Sequence, residues 1–334
     1  MSSKQRIYSP EKKQSCQSTP RHTRLPSLQE EPKEFEDVHV IKLISKTRFP
    51  VYLATTSSTR QKFALKLYDY KNGLPNKYYI NEARFEPLDH PSIIQIICAE
   101  EETSITLSKT SKKFSCILME YAPYGDFFEF IKATRECLTD KLIRTYFRQL
   151  IEGLDYLHKN DVFHLDLKLE NLLMGTDYQL KIADFDLSYF KGDSDILSKG
   201  TKFYRAPELR KGRCRNPGAA DIYAAGVLLF VLKCGGVIPH PEDTLCEGVN
   251  LEDLLENDPR EFFKKHLEIQ GRDFFFFEPS FRELFTGMMK QDPRERMTLK
   301  DIMKSKWYIG PVYSKDELRV KVKKMLDLAK AQGN

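Results

Sequence analysis

VFHLDLKLEN, residues 162–171, and DFD, residues 184–186, are the stretches that decide the fold of this 334-residue chain. Both are short, but together they contain four polar side chains of complementary chemistry: Asp166, Lys168, Asn171 and Asp184. Folding by itself gives no reason for such a set to be grouped. Phosphoryl transfer does, because it needs a carboxylate beside the attacking hydroxyl, oxygen ligands for metal ions and a cation near the transferred phosphate.

The two stretches resemble the catalytic loop and the metal-binding loop of eukaryotic protein kinases. Other stretches follow the same family order: FALK at 63–66, MEYA at 119–122, GTKFYRAPE at 200–208 and DPRER at 292–296. One short match means little, whereas this many in the right order are specific. The resemblance covers about residues 38–310. It implies an α+β fold, the bilobal protein kinase fold, in which a small antiparallel β-sheet lobe with one main helix precedes a larger, mainly helical lobe.

The resemblance also indicates the type of kinase. Lysine two residues after Asp166 is characteristic of serine/threonine kinases. The pattern around AAGVLLF at 224–230, DP at 292–293 and Trp307 is most similar to the calcium/calmodulin-dependent and AMP-activated kinase group. The implied function is transfer of the gamma-phosphate of MgATP to serine or threonine hydroxyls of proteins, with ATP and Mg²⁺ as cofactors.

Each catalytic role can be assigned to a residue that matches the family pattern. Asp166 would accept or orient the proton of the substrate hydroxyl, and Lys168 would steady the transferred phosphate. Thr201 would hydrogen-bond to both of them. The oxygens of Asn171 and Asp184 would hold Mg²⁺. Scaffold roles are implied for a further four residues: His164, which would brace the loop, Asp221, and the buried ion pair Glu208 and Arg296.

The nucleotide site is expected between the two lobes. Lys66 would bind the alpha- and beta-phosphates, and Glu82 on the next helix would orient it. Glu86 is the alternative partner, because the spacing from Glu82 to the following His-Pro pair is shorter than in many relatives. Met119 would be the gatekeeper, and the hinge would bind the adenine edge through its backbone. The residues assigned to ATP are Val51, Ala64, Lys66, Glu82, Met119, Glu120, Ala122, Asp126 and Leu173.

The loop that should cover the phosphates departs from the family. Kinases usually carry G-x-G-x-x-G there, because glycine lets backbone amides approach the phosphates closely. The sequence here is ISKTRFPV, residues 44–51, without a glycine. We therefore expect weaker nucleotide affinity, or phosphate contact through Lys46 or Arg48.

Two further departures concern regulation and the metal loop. Leu165 replaces the arginine with which many kinases bind a phosphorylated residue, and Leu197 occupies the usual acceptor position. Because a leucine can neither carry a phosphate nor pair with one, activity should not need phosphorylation at that position. Asp186 stands where glycine normally follows, and would either restrict the loop or point to solvent.

These departures leave a second function open. The chain could be a pseudokinase, which would act as a nucleotide-binding scaffold or regulatory module without efficient transfer. The presence of Lys66, Asp166, Asn171 and Asp184 favours the enzyme.

Composition sets the wider limits. The chain has 41% hydrophobic residues, enough for a sizeable core, and 53 basic against 48 acidic residues give a net charge of +5. The excess lies in residues 1–24, so no general polyanion-binding face and no nucleic-acid partner are expected. Seven cysteines without a C-x-x-C pair indicate reduced thiols in a cytoplasmic protein, with nuclear access possible. The longest apolar run, residues 224–232, is far shorter than the ~20 residues that span a bilayer.

The pattern along the chain predicts four segments: a disordered basic tail at 1–37, the smaller lobe at 38–122, the larger lobe at 123–310 and a basic amphipathic helix at 311–334. Strands are predicted at 38–43, 51–54 and 63–68, with further strands at 93–98 and 115–119 joined by a polar loop. Helices are predicted at 77–88 and, in the larger lobe, at 251–266, among others.

Partners follow from the same assignments. Protein substrates with Ser or Thr acceptors are expected, with basic residues upstream of the acceptor because Glu170 and Asp126 are acidic. Lys202 would lie near the residue that follows it. The last helix carries an apolar stripe of Leu318, Val322, Met325 and Ala329, so residues 315–331 could be a calmodulin-like or autoinhibitory contact, or a terminal helix packed on the larger lobe.

Overall fold

The computed structural model describes residues 38–56, 61–107, 110–196, 200–212, 214–240 and 250–331. The predicted disordered tail at 1–37 and the position of Leu197 lie outside these ranges. A sheet of five antiparallel strands comes first in the chain and is followed by a mainly helical region, which confirms the predicted bilobal α+β fold.

The first lobe is a sheet with strand order β1-β2-β3-β5-β4. Its strands are β1 Val38–Ser45, β2 Val51–Thr56, β3 Lys62–Asp69, β4 Ile96–Leu107 and β5 Thr110–Glu120. Strand β3 lies in the centre, and all of its residues except the first and the last are buried. A lysine in the middle of such a strand, Lys66, is only 5% exposed and therefore needs charged partners.

The helix of this lobe, α1, is shorter than predicted. It runs from Lys77 to Ala83, not to residue 88, and begins with the Asn76 side chain accepting a hydrogen bond from the backbone of Tyr78. After Ala83 the chain continues in turns. These turns carry Phe85 and Leu88 into the core, where they are 4% and 8% exposed. Pro87 has no backbone N–H to continue the helix and disfavours helical backbone at Glu86, so α1 cannot extend to residue 88.

In the polar stretch between Cys98 and Ser115, where a loop was predicted, the described residues form strand up to Leu107 and again from Thr110. Strands β4 and β5 remain paired from Thr103 opposite Phe114 to Leu107 opposite Thr110. Ile105 on this extension is 7% exposed, while Ser104 and Thr106 beside it are exposed. The stretch is thus a half-buried strand whose alternation is hidden by its many polar and β-branched residues.

The second lobe is built from nine helices in the described ranges. They are α2 Phe127–Thr134, α3 Asp140–Lys159, α4 Pro207–Arg210, α5 Pro217–Lys233, α6 Leu251–Asn257, α7 Pro259–Gln270, α8 Pro279–Met288, α9 Leu299–Lys304 and α10 Lys315–Ala331. Helix α5 is buried along almost its whole length and forms the centre of the lobe.

Four short strands between α3 and α4 hold the stretches that decide the fold. They are β6 Val162–Phe163, β7 Leu172–Met174, β8 Leu180–Ile182 and β9 Tyr189–Phe190. Strand β6 pairs with β9, and β7 pairs with β8. The residues 164–171 and 183–188 are therefore loops whose two ends are fixed by paired strands.

The single helix predicted at 251–266 is two helices, α6 and α7. They meet at Asp258, whose side chain accepts a hydrogen bond from the backbone of Glu261 at 3.2 Å and so caps α7. Pro259 is the first residue of α7 and has no N–H to continue the hydrogen bonds of α6. An Asp-Pro pair inside an apolar helical pattern is a stop and start signal that outweighs the periodicity.

The apolar stripe of α10 is buried within the larger lobe. Leu318, Val322, Met325 and Ala329 are 1%, 0%, 3% and 5% exposed, on a helix that contacts α2 and the turn at Thr176–Tyr178. This arrangement favours a terminal helix packed on the lobe, because a calmodulin-like partner would first have to detach it. Among the helices of the described ranges, none is long and apolar enough to cross a membrane.

Candidate active site

A cleft of about 790 Å³ lies between the sheet and the helical lobe. Its size is typical of sites for small molecules. Every residue assigned to ATP from the sequence lines it, together with Asp166, Lys168, Asn171 and Asp184. Apolar surface for a planar base is provided by Val51, Ala64, Met119 and Leu173. The charged residues assigned to phosphate and metal lie in the same cleft.

Lys66 joins the two lobes through an ion-pair network. Its Nζ lies 2.6 Å from Oε2 of Glu82 and 2.5 Å from Oδ1 of Asp184. Glu82 on α1 is therefore the partner, and the alternative, Glu86, is exposed to solvent. Burial alone would lower the pKa of Lys66, but the negative charges of Asp184 and Glu82 raise it well above its ordinary value. Lys66 is thus held as a cation facing the cleft.

The other side chain in this network is one that the sequence analysis missed. The hydroxyl of Tyr68, two residues after Lys66 on β3, donates a hydrogen bond to the same Oε2 of Glu82. The second oxygen of Glu82 accepts one from the backbone N–H of Phe185 at 3.3 Å. Glu82 therefore holds both the strand lysine and the loop that carries Asp184. The signal available in the sequence was a tyrosine two residues after Lys66, because residues at this spacing lie on the same face of a strand.

Asp166 is surrounded by four donors. Its Oδ1 accepts hydrogen bonds from the N–H and the hydroxyl of Thr201, both at 2.7 Å. Its Oδ2 accepts from Nζ of Lys168 at 2.8 Å and from Nδ2 of Asn171 at 3.2 Å. A carboxylate has about four lone-pair positions, so this one is filled and oriented. A substrate hydroxyl would have to displace a donor, and the Asn171 contact is the longest.

Lys168 is held between the same partners. Its Nζ also donates to the hydroxyl of Thr201 at 3.1 Å. Burial lowers the pKa of Lys168, but the bond to Asp166 outweighs this and the net direction is upward. Thr201 can approach because Gly200 before it has φ of +75°, and a Cβ there would collide with the carbonyl of Leu165.

The metal role assigned to Asn171 and Asp184 fits their orientation. Nδ2 of Asn171 donates to the carbonyl and the carboxylate of Asp166, so its amide oxygen is the atom left for a cation. The pKa of Asp184 is lowered because the charge of Lys66 outweighs burial, which keeps the carboxylate ionised. No cluster of three or more His, Cys, Asp or Glu suited to a metal occurs in the described ranges. The carboxylate of Asp184 and the amide oxygen of Asn171 suit Mg²⁺, which proteins bind through one or two carboxylates together with substrate phosphates.

Asp221, which is fully buried near the start of α5, anchors the catalytic loop at residues 164–171. Its Oδ1 accepts from the N–H of Leu165 at 2.8 Å, and its Oδ2 from the N–H of His164 at 2.9 Å. His158, which the sequence analysis did not single out, lies with Nε2 2.9 Å from the same Oδ2. The ring of His164 reaches the carbonyl of Ala183 at 3.0 Å and so connects the catalytic loop to the metal loop.

The pair Glu208 and Arg296 lies away from the cleft. Nη1 and Nη2 of Arg296 are 2.6 Å and 3.0 Å from the two oxygens of Glu208, and both residues are buried. Nη1 also donates to the carbonyl of Ala219 at 2.7 Å, at the start of α5. The pair thus joins α4 to α5 and to the segment before α9, which is a scaffold position.

Asp186 does not point to solvent, which removes one of the two alternatives for it. It is 8% exposed and lines the cleft, and burial together with the neighbouring Asp184 raises its pKa to about 7. The backbone here is fixed by Asn81 of α1, which the sequence analysis did not assign. Its amide donates to the carbonyls of Phe185, Asp186 and Ser188 at 3.4, 3.0 and 2.8 Å.

The glycine-free loop is covered by aromatic contacts. Phe49 is 7% exposed, and its ring centroid lies 4.5 Å from that of Tyr68, in the wall of the cleft. The guanidinium of Arg48 lies 3.9 Å from the ring centroid of Tyr78 and also lines the cleft. Lys46 is exposed and is not among the cleft residues. Of the two cations considered for phosphate contact, Arg48 is therefore better placed.

Two residues assigned to ATP use their side chains elsewhere. Oε1 of Glu120 accepts from Nζ of Lys181 at 2.6 Å and from the N–H of Gln95 at 2.9 Å. Asp126 caps α2 by accepting from the N–H of Glu129 at 2.9 Å. The contact with ATP expected of Glu120 would therefore fall to its backbone, as the hinge assignment implies. The capping bond explains an acidic residue at Asp126 without any ligand.

Comparison with known proteins supports the same interpretation. The family model of the protein kinase domain matches residues 49–308. CBL-interacting protein kinase 28 of Oryza sativa subsp. japonica is 29% identical over 271 residues, which cover 78% of this chain and 56% of that protein. The carbon catabolite-derepressing protein kinase of Secale cereale is 32% identical over 270 residues, covering 77% and 48%. The chain spans about half the length of the curated relatives it matches.

Proposed function

The chain belongs to the protein kinase family, within the calcium/calmodulin-dependent and AMP-activated kinase group, and from that premise we propose that it transfers the gamma-phosphate of MgATP to serine or threonine hydroxyls of proteins. The single observation that carries this proposal is the four-donor environment of Asp166 opposite the Lys66, Glu82 and Asp184 network. A cleft that only bound nucleotide would not need an oriented carboxylate with a cation beside it.

The proposed chemistry divides among the residues of the cleft. Asp166 orients the substrate hydroxyl and takes its proton, and the ammonium of Lys168 neutralises charge on the phosphate as it moves. Lys66 holds the phosphates that remain on the nucleotide, and Asn171 and Asp184 hold the metal. When bound, Mg²⁺ supplies charge neutralisation of the phosphates. Asp221 and Glu82 keep these groups in position. This positioning matters, since a misplacement of about 1 Å can cost on the order of a hundredfold in rate.

The substrate preference is a finer part of the proposal. Glu170 is exposed at the mouth of the cleft, and its carboxylate suits a basic residue upstream of the acceptor. Lys202 is exposed next to Thr201, where the residue after the acceptor would lie. A calmodulin-like or autoinhibitory contact through 315–331 finds no support in the packing of α10, whose apolar face is already covered.

We place the smaller lobe at 38–122 and the larger lobe at 123–310 as part of the same proposal. We also propose a cytoplasmic location with access to the nucleus. The location is supported by Cys116, Cys137, Cys214 and Cys234, whose thiols are reduced in the part of the chain that the structure describes. The pseudokinase alternative is not favoured, because the departures in sequence leave the positions of Lys66, Asp166 and Asp184 intact. The missing glycines of the loop at 44–51 instead concern the affinity for nucleotide, and Asp186 concerns metal binding beside Asp184.

The test is transfer of labelled gamma-phosphate to a mixed serine and threonine peptide library. The parent protein is compared with Asp166→Asn, which keeps the shape of the base, and with Asp184→Asn. We expect transfer by the parent and a loss of about 10²- to 10⁴-fold in Asp166→Asn. Equal incorporation by all three proteins, or none by the parent with several divalent metals, would reject the proposed function.

A further inference from the structure

Arg84 and Asp193 form an ion pair between the end of α1 and the segment that follows β9. Nη1 and Nη2 of Arg84 donate to the two carboxylate oxygens of Asp193, at 2.8 Å and 2.7 Å. This bidentate form is the most specific geometry for an arginine and a carboxylate. Neither residue lines the cleft, so the pair is separate from the site described above.

Asp193 is held in its own tight turn. Its Oδ2 also accepts from the N–H of Phe190 at 2.9 Å, and its N–H donates to the carbonyl of Phe190 at 3.0 Å. Phe190 belongs to β9, which pairs with β6 directly before the catalytic loop. The hydrogen bond from Arg84 lowers the pKa of Asp193, which keeps it ionised. The carboxylate is thus a fixed negative charge attached to the larger lobe.

Helix α1 needs an anchor because it is only seven residues long. Isolated helices below ~12–15 residues are marginal in water, so tertiary contacts must set its position. The helix carries Glu82, whose carboxylate lies 2.6 Å from Nζ of Lys66. Arg84 follows Glu82 by two residues, so a contact that fixes Arg84 also limits how far Glu82 can move from Lys66.

The catalytic loop offers no cation for a phosphate at position 165. Leu165 is neutral and buried, and cannot bind a phosphate. A phosphorylated residue would therefore find no cation at that position of the catalytic loop. Arg84 supplies the cation from α1, and Asp193 supplies a negative charge without any modification.

We propose that the Arg84–Asp193 ion pair is a permanent latch that holds α1, and with it Glu82 and Lys66, in the catalytic position without phosphorylation. The latch rests on the proposed kinase function. Both residues are positioning residues, because they act through Glu82 and touch no reacting atom. Their side chains are 32% and 27% exposed, so the effect is moderate: we expect kcat to fall about three- to tenfold when the pair is lost.

A double-mutant cycle tests the latch. Arg84→Met removes the charge and keeps the apolar stem, and Asp193→Asn keeps the bond from Phe190. Each single variant and the double variant should lose the same factor in kcat, with the peptide KM unchanged. The control is Lys191→Met, since Lys191 pairs with Asp161 at 3.0 Å on the same segment but does not reach α1. High salt should narrow the difference between parent and latch variants.

Hydrogen exchange gives a readout that does not depend on transfer. The amides of residues 77–83 should exchange faster in the three latch variants and at the parental rate in Lys191→Met. A parent that transfers no phosphate but shows this exchange pattern would keep the latch and reject the kinase function. Losses that multiply in the double variant, an equal loss in the control, or unchanged exchange would overturn the latch.

Discussion

One hydroxyl group joins the two charged residues at the centre of the candidate active site. Oγ1 of Thr201 donates to Asp166 at 2.7 Å and accepts from Nζ of Lys168 at 3.1 Å. The backbone N–H of Thr201 binds the same carboxylate oxygen. Thr201 therefore sets the direction of the proposed base and of the proposed phosphate-binding cation together, although it takes no part in bond making.

Replacing Thr201 by valine should separate these functions. Thr201→Val keeps the shape but removes two bonds to charged groups, which are worth roughly 1.5–3 kcal/mol each. We expect kcat for a peptide substrate to fall about 10- to 100-fold, while the KM for ATP stays near that of the parent. Thr201→Ser restores the hydroxyl and is the matched control. A valine variant as active as the serine variant would show that the hydroxyl is not needed.

At the residue scale, the sequence identified groups whose chemistry recurs at fixed short spacing, such as Asp166, Lys168 and Asn171. It missed Tyr68, Asn81 and the Arg84–Asp193 pair. The partners of these residues lie between 14 and 109 positions away along the chain. No local pattern marks such contacts, because they exist only once α1 has been placed against β3 and the metal loop.

At the scale of elements, periodicity was a good guide where one face is apolar and a poor guide where it is mixed. The stripe of α10 was predicted from its spacing and is buried. The extension of β4 and β5 was not predicted, because its exposed face is so polar that Ile105 and Leu107 stand out little. The break between α6 and α7 was missed for a different reason, since Leu255 and Phe262 keep a helical seven-residue spacing across the polar run at 256–261.

Two valines on α10 test its packing. Val322 is fully buried, whereas Val320, two residues earlier on the same helix, is 69% exposed. Because both changes to alanine have the same effect on helix propensity, the difference reports burial. We expect Val322→Ala to lower the free energy of unfolding by about 2 kcal/mol and Val320→Ala to change it by less than about 0.5. Urea unfolding measures both, and equal values would mean that α10 is not docked in solution.

The core around α7 should make stability depend on pH. His266 is fully buried against Phe230 and Phe262, and burial lowers its pKa to about 4. The unfolded chain takes up a proton near pH 6.5, but the folded protein does not until about pH 4. The contribution of His266 to the free energy of unfolding is therefore fully present above about pH 7. It is lost progressively as the pH falls from about 6.5 towards 4.

From pH 7 to pH 5 this histidine should cost the folded state about 1–2 kcal/mol. His266→Gln removes the titration and keeps a donor for the carbonyl of Pro239, so the pH dependence of its unfolding free energy should be smaller by that amount. His240, whose pKa burial also lowers to about 4, should account for part of the remaining slope. Parallel pH profiles for parent and variant would contradict the assignment.

At the scale of the whole molecule, the cleft is the place where the two lobes depend on each other. Val51 and Ala64 come from the sheet, Leu173 and Asp184 from the helical lobe, and all four line the same cleft. The ion pair of Lys66 with Asp184 crosses it directly. The sequence could predict which residues belong to the cleft. It could not predict that Phe49, in the loop without glycines, packs on Tyr68, because this contact exists only in the folded lobe.

A ligand that contacts both walls of the cleft must stabilise the folded chain as a whole. At free MgATP one hundred times its Kd, the gain is about 2.7 kcal/mol, which raises the unfolding midpoint by several degrees. ATP with a chelator should give a smaller shift, because Asn171 and Asp184 then contribute no metal bond. In Asp184→Asn the extra shift due to Mg²⁺ should disappear, while Asp195→Asn, an exposed carboxylate outside the cleft, should behave as the parent does. The same Mg²⁺ increment in the parent and in Asp184→Asn would place the metal elsewhere, and no shift with any nucleotide would mean that the glycine-free loop has abolished binding.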